Sequence, residues 1–474
     1  MSSSDNYYNS KKFKHILTEY EESEKTGHPV FLDSEEFTDI AEYYHMHGEL
    51  QKAINVIDYA ISIYPGAVAP LIFKARMALL KEGNAEKARE IAAEIDDKTD
   101  LDYYYIQAEI MIVERQEDEA DDYLKACYHQ IDEEDEQDYV LDVATLFADY
   151  DLIDKADEWL QRYNDDSQAD YRELLGRILL GKGKYAESEK VFNELIDENP
   201  FSSHYWNYLA SSQLMANRIH DSIESSEYSI AINPDNEEAL LNKANGLYSL
   251  GNYEEALEYY RRYTQICPSD ETGEMFQGVC LLCLNQLEEA VEHLKKAEKT
   301  APPNSPNLHE IYQELAFTLS RLGFLDAALS YVDKTDQLDC DHNEMMVLRG
   351  HLLLEHGQLA EAQTCFGYAV KESGGSPHIF LRIAISVFDN GYLQLAYKML
   401  SILKKSSGNK LQEGYSYLAA CCKELGKQNE YMENLRLACH HSPAEARNVL
   451  GDYFPEELPP EEYYDYEKRK SKKQ

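Results

Sequence analysis

A chain of 474 residues, 43% of them apolar, has room for several ordinary domains or one repetitive array, and is too apolar for a disordered tail. Its 88 acidic and 45 basic side chains give a formal net charge of -43, which repels nucleic-acid phosphate and anionic headgroups and favours basic partners. Nine cysteines, an odd number, point to reduced thiols rather than a disulfide framework.

From the N-terminus, Met1–Asn6 lacks the basic start and apolar run of a secretory signal. No stretch approaches the roughly 18 uninterrupted apolar residues of a membrane helix. The expectation is a soluble, cytoplasmic protein. Phe13, Ile16, Leu17 and Tyr20 recur at helical spacing, and Gly27 with Pro29 supplies a stop, so residues 1–33 read as a capping helix and linker.

A frame then begins. A small residue stands at Ala41, Ala75, Ala108, Ala144, Gly176, Ala210, Ala244, Gly278, Ala316, Gly350, Ala384 and Ala419, at intervals of about 34 residues. A second follows each by about twelve residues, at Ala53, Ala88, Ala120, Ala156, Ser188, Ser222, Ala256, Ala290, Ala328, Ala362 and Ala396; Tyr431 takes that place last. Two antiparallel helices can cross closely only where side chains are small, so this frame predicts stacked helical hairpins. Gly48, Gly183, Gly251, Gly323, Gly357, Gly391 and Gly426 fall between the helices, where a left-handed cap is required. Pro65, Pro200, Pro234, Pro268, Pro302 and Pro443 end the second helices. Hairpins two to four fit least well: they lack the terminal Pro, and only the second has a turn glycine, Gly83.

The spacing lengthens at the acidic run Asp132–Asp138 and at Pro302-Pro303-Asn304-Ser305-Pro306. The expected organisation is repeats one to eight over 34–302, a Pro-rich joint or hinge at 303–308, and repeats nine to twelve over 309–443. Residues 444–474 read as a short closing helix, Ala444–Leu450, and a disordered tail ending in the basic run Lys468–Lys473.

These residues resemble the tetratricopeptide repeat family. Repeat five carries Leu175-Gly176, Gly183, Tyr185, Phe192 and Pro200; repeat six Trp206, Leu209-Ala210 and Pro234; repeat seven Ala244, Leu247, Gly251, Tyr253, Ala256, Tyr260 and Pro268. The resemblance implies an all-α fold, a right-handed superhelix or solenoid of about twelve hairpins, each stabilised by stacking on its neighbours. It implies a scaffold or adaptor that holds a protein or peptide in its concave groove.

No residue pattern argues for catalysis. Gly176–Gly183 matches a phosphate-binding loop until its last position, where Gly183 replaces the Ser or Thr that would hold magnesium. Cys280 and Cys283 lie mid-helix in an apolar stretch and read as small core residues rather than ligands. Cys421, Cys422, Cys439, His440 and His441 match no ligand spacing. The chain is expected to be no enzyme, with no cofactor and no metal.

In the resembled family the first helix of each repeat lines the groove, and its inner positions carry over residue by residue. The early repeats offer Glu35, Glu42, Asp102, Tyr105, Glu109, Asp138, Asp149, Asp170 and Glu173, opposed by Arg76 and Arg177. The late ones offer Glu310, Glu344, Glu355, Asp389, Glu413 and Glu424, opposed by Arg321 and Lys423. Both ends of the groove are therefore expected to be acidic. In the middle, Asn207, Ser211, Leu214, Asn245, Tyr248 and Met275 offer amide and apolar contacts for an extended or helical segment flanked by Lys or Arg. The family's clamp for acidic C-termini is excluded: Asn245 matches in type, but Glu238, Leu241, Thr272 and Met275 supply no cations. Two other readings compete, an accessory subunit that supports an enzyme complex or binds a small molecule, and an RNA-binding helical-repeat protein, which the charge opposes. Neither nucleic acid nor membrane is an expected partner, and no feature fixes the oligomeric state.

Overall fold

The computed structural model describes residues 7–8, 10–27, 30–338, 340–407, 411–455 and 458–471. The start Met1–Asn6, the stop at Pro29, and Lys472 and Lys473 of the basic run lie outside the described residues. Among those described, every regular element is a helix.

The undersized residues lie where the frame requires. Ala41, Ala53, Ala75, Ala88, Ala108, Ala120, Ala144 and Ala156 are each 0% exposed, as are Ala210, Ala290, Ala316, Ala328, Ala384, Ala396 and Ala419. The glycines of the frame are tighter still. A Cβ on Gly176 would come within 2.7 Å of the Phe192 ring, and one on Gly278 within 2.6 Å of Leu294 Cγ and 3.2 Å of the Ala290 carbonyl. Ser188 keeps its place by donating its hydroxyl to the Gly176 carbonyl across the crossing, at 2.9 Å.

The chain divides into two compact units, Met1–Asn252 and Tyr253–Gln474. The first opens with α1 (Lys11–Thr26), which buries Phe13, Ile16 and Tyr20 and ends on Gly27 in the left-handed region. Hairpins follow: α2 (Ser34–Met46) with α3 (Leu50–Ile63), α4 (Val68–Leu80) with α5 (Ala85–Ala93), α6 (Leu101–Val113) with α7 (Glu117–Tyr128), and α8 (Glu136–Asp149) with α9 (Ile153–Leu160). Next come α10 (Ala169–Gly181) with α11 (Tyr185–Glu198), α12 (Ser203–Met215) with α13 (Ile219–Ile232), and then α14 (Glu237–Ser249).

The second unit starts with α15 (Tyr253–Ile266). Its hairpins are α16 (Glu271–Cys283) with α17 (Leu287–Thr300), α18 (Leu308–Arg321) with α19 (Leu325–Thr335), and α20 (His342–Glu355) with α21 (Leu359–Glu372). They continue as α22 (Pro377–Asp389) with α23 (Leu393–Ser406) and α24 (Tyr415–Glu424) with α25 (Gln428–His441), before α26 (Pro443–Leu450) and α27 (Tyr463–Ser471).

In the first unit each first helix packs on its partner and on the next first helix: α2 on α4, α4 on α6, and onward to α12 on α14. In the second unit α16 packs on α18, α20 on α22 and α22 on α24 in the same way. First helices thus form a continuous inner layer within the first unit. Several of their starts are fixed by side-chain caps: Asp33 with Glu36 forms a capping box, and Asn84 caps a second helix in addition. Asp100, Ser202, Asn236, Asp270 and Asp341 accept from the first-turn amides of their helices.

Three expectations change. Hairpins three and four do make the left-handed turn, with Arg115 (φ 62°) and Asp151 (φ 57°) in the glycine position. The Pro-rich joint at 303–308 is tied into the second unit: Ser305 is buried and donates to Glu271, and Asn307 Nδ2 donates to the same carboxylate at 3.0 Å. The division between units falls instead at Asn252 and Tyr253. The tail is not disordered through residue 471. Its aromatic residues give α27 an apolar anchor: Tyr463 is 2% exposed and stacks on Phe454 with ring centroids 4.0 Å apart. The same turn captures Lys423, whose ammonium sits 3.6 Å from the Tyr453 ring centroid.

Candidate interaction surface

One residue past each crossing alanine, the helix turns by about 100° and presents its next side chain to the open side of the first-helix layer. In hairpins two to four those residues are Arg76, Glu109 and Thr145, and they line a concavity of about 540 Å³ together with Asp102, Tyr105, Asp142, Asp149 and Tyr150. Glu109 is only 6% exposed and is held by Arg76, with Nε at 3.0 Å and Nη2 at 2.9 Å from Oε1. Tyr105 donates its hydroxyl to Asp142 Oδ2 at 2.9 Å, and Arg177 pairs with Asp149.

Burial pushes the carboxyls of Asp102, Glu109 and Asp142 above their ordinary range. Arg76 pulls the first two back, and the Tyr105 hydroxyl pulls back the third. The lining holds four carboxylates and a single cation, Arg76. That balance suits a guest cation, because each carboxylate gains from a positive charge more than it would in open water.

A second concavity of about 380 Å³ adjoins it, sharing Arg76, Leu80 and Asp102. Met46, Phe73 and Met77 line it, and Met46 and Leu80 are more than half exposed. Tyr8 closes one edge, donating to Glu42 Oε2 at 2.8 Å. An apolar seat and an acidic seat therefore lie side by side on α2, α4, α6 and α8.

The remaining expected residues are distributed as follows. Glu35 is exposed on the first turn of α2, and Asp170 is exposed at the start of α10. Glu173 is half-buried, 3.9 Å from His204 and pushed up by burial. In the second unit Glu344 and Asp389 line one smaller concavity of about 340 Å³ with His351, Arg382 and Phe317; Glu344 contacts His378 at 2.8 Å, and Arg382 lies near Asp389. Glu310 is exposed on α18 and helps push the neighbouring Glu314 carboxyl up to about 7, after burial itself.

Two of the mid-chain residues are withdrawn from a guest. Met275 is 1% exposed and belongs to the apolar core of α16 to α20. Asn207 is also 1% exposed; its amide donates to Asn236 Oδ1 at 2.8 Å and to Glu238 Oε2 at 3.1 Å, stapling α12 to α14. Ser211 accepts from Asn242 at 3.0 Å, whereas Leu214, Asn245 and Tyr248 are half-buried. Asp142 and Tyr150 were not expected at the surface. On and just after α8 they flank Thr145 and Asp149, which line the same concavity.

Cys127, Cys280, Cys421, Cys422 and Cys439 are buried thiols. Burial holds the Cys280 and Cys421 thiols at about 12, in their unreactive form, while Cys283 is exposed rather than a core residue. Among the described residues no helix is long and apolar enough to cross a membrane, and no group of His, Cys, Asp and Glu is arranged to hold a metal ion.

Residues 173–237 and 237–270 each match the tetratricopeptide repeat family. Residues 173–270 are tetratricopeptide repeats. The match falls on hairpins five to seven, where terminal Pro and turn residues are most complete. Similar solved structures include MamA from Desulfovibrio magneticus RS-1, 17% identical, covering 36% of this chain and 96% of that one, with a TM-score of 0.34. PilF of Pseudomonas aeruginosa is 19% identical over 45% of this chain and 94% of its own, with a TM-score of 0.39. The APC/C hetero-tetramer Cut9–Hcn1 is 15% identical over 96% and 90%, with a TM-score of 0.44. No curated protein matches the sequence. Tetratricopeptide repeats are scaffolds for protein interaction, and the fold is generally non-enzymatic.

Proposed function

We propose that this repeat protein is a scaffold that holds a protein segment carrying an apolar residue beside a Lys or Arg, seated on the first helices of hairpins one to four. The carrying observation is the adjacency of the two concavities, one lined by Met46, Phe73 and Met77, the other by Asp102, Glu109, Asp142 and Asp149. A Lys or Arg ammonium or guanidinium entering the second meets Asp102 and Asp142, which no cation among the described residues pairs, besides Glu109 held by Arg76 and Asp149 held by Arg177. Its apolar neighbour covers the first, burying surface that water now wets. Asn207 and Met275 leave this reading, while Ser211, Leu214, Asn245 and Tyr248 can extend the contact along α12 and α14. No step of it calls for catalysis, a cofactor, nucleic acid or membrane.

Affinity purification at low and high salt, followed by mass spectrometry, identifies the partner. A peptide from that partner, titrated by fluorescence anisotropy, then tests the seat. Asp102→Asn/Asp142→Asn/Asp149→Asn should weaken binding by about tenfold or more, and rising salt should weaken the wild type but barely affect the triple variant. Equal affinity for the two proteins, with the same salt slope, refutes the placement.

A further inference from the structure

The outer side of the second unit carries a seat of the opposite character. Helices α21 and α23 are consecutive second helices, and between them runs an apolar groove of about 630 Å³ lined by Leu359, Phe366, Val370, Tyr392, Leu395 and Met399. Second helices face away from the first-helix layer, where a chain of this charge ordinarily displays acids. Here Leu359, Leu395 and Ile402 stand 52%, 50% and 60% exposed. Gly367 widens the groove, since a Cβ there would meet nothing within 4 Å.

The charges around it break with the rest of the chain. Helix α23 contains Lys398, Lys404 and Lys405 and no acid, in a protein with nearly two acids for each base. Lys404 is engaged by Glu433 at 2.7 Å, on the far side from the groove. Helical spacing puts Lys398 and Lys405 beside Leu395 and Ile402 on one rim, and Lys371 beside Gly367 on the other. The acids of α21, Glu361 and Glu372, fall round the back of that helix, although Lys371 reaches Glu372 at 3.5 Å.

We infer that this groove docks an amphipathic helix of a partner protein, with apolar residues on one face and Asp or Glu flanking them. Aliphatic side chains at i, i+3, i+4 and i+7 would fill the trough between Leu359 and Met399, and the flanking carboxylates would meet the rim lysines. A second copy of the chain is disfavoured by mutual repulsion at a charge of -43 each. A bilayer is disfavoured by shape, because the apolar seat is recessed between two helices, whereas lipid is entered by a protruding face. This site is separate from the acidic seat of the first unit and does not depend on it.

The probe is a fluorescent 18-residue helical peptide of about five turns, with Leu on one face and Glu on its flanks, titrated into the full chain. Wild type should bind it; Leu395→Ser/Ile402→Ser and Lys398→Glu/Lys405→Glu should each weaken binding by about tenfold, with the melting temperature unchanged because all four side chains are exposed. Absence of binding, or equal affinity across the three proteins, overturns the inference. Sedimentation velocity and flotation with phosphatidylserine vesicles complete it. Self-association or vesicle binding that Leu395→Ser/Ile402→Ser abolishes assigns the groove to another occupant and overturns it too.

Discussion

Arg76→Ala and Glu109→Gln break the same ion pair and should do so at very different cost. The Glu109 side chain is 8% exposed and that of Arg76 40%. Removing the arginine strands a carboxylate beneath the surface, and no other cation lines the concavity. Stranding one partner of a fully buried pair costs about 3–5 kcal/mol; since water already reaches this guanidinium, about 2–3 kcal/mol is the appropriate figure. Removing the charge from Glu109 instead leaves Arg76 free to turn outward, at about 1 kcal/mol or less. The pH dependence has a definite sign. Burial holds the Glu109 carboxyl above its ordinary range, and Arg76 opposes that rise, so Arg76→Ala raises it further. The native chain then takes up the proton before the unfolded one does. The deficit is therefore full above the folded-state pKa and shrinks as pH falls toward the unfolded value of about 4.3. Repeat arrays open locally, so hydrogen exchange of α6 and α8 is the assay, rather than a single global melt. At neutral pH Arg76→Ala should speed protected amides by roughly thirty- to a hundred-and-sixtyfold and Glu109→Gln by less than about sixfold. Equal effects, or an Arg76→Ala deficit indifferent to pH, refute the reasoning.

Three further outcomes follow from the frame. Arg115→Gly should stabilise the first unit by about 1 kcal/mol, because an exposed non-glycine residue there holds φ at 62°; a lower urea midpoint would show that the arginine side chain has another role. Ser222→Ala should also stabilise, by about 1 kcal/mol, since that hydroxyl is buried without a partner and Ala is the residue most hairpins use at the position. Gly278→Ala should destabilise the second unit by about 1–3 kcal/mol, because Leu294 is fully buried and the Ala290 carbonyl is fixed in its helix. Thermal melts with exchange mass spectrometry check all three, and an unchanged Gly278→Ala protein would mean that the crossing has slack.

The hairpin frame was legible because close crossing leaves no choice of side chain: Ala, Gly or Ser must recur, and they do so in register from Ala41 to Ala419. What the frame could not show is conformational tolerance at the turns. Arg115 and Asp151 adopt the left-handed region because the two helices they join are already positioned by packing, so tertiary contact outweighs a local cost of about 1 kcal/mol. The tail obeys the same rule. Its acidic and basic letters suggest solvation, yet Phe454 and Tyr463 supply enough apolar area to fold α27 back onto α25. The joint at 303–308 looked loose from its prolines, but Glu271 lies on another helix, and only the fold brings its carboxylate to Ser305 and Asn307.

Legibility of the groove fails in a more instructive way. Considered one helix at a time, each inner-face position looks available to a guest. A repeat of about 34 residues sets equivalent positions side by side on adjacent first helices, so each can bond to its neighbour one period away. Arg76 reaches Glu109, Tyr105 reaches Asp142, and Asn207 reaches Glu238 in this manner. An inner-face residue is therefore available only in so far as its neighbour leaves it unsatisfied. By that criterion Asn207 of α12, attractive as a peptide ligand in isolation, acts mainly as a staple. The carboxylates of α6 and α8 outnumber the cations that could satisfy them, and it is this local imbalance, more than the net charge of the chain, that makes the early hairpins the better seat for a basic partner.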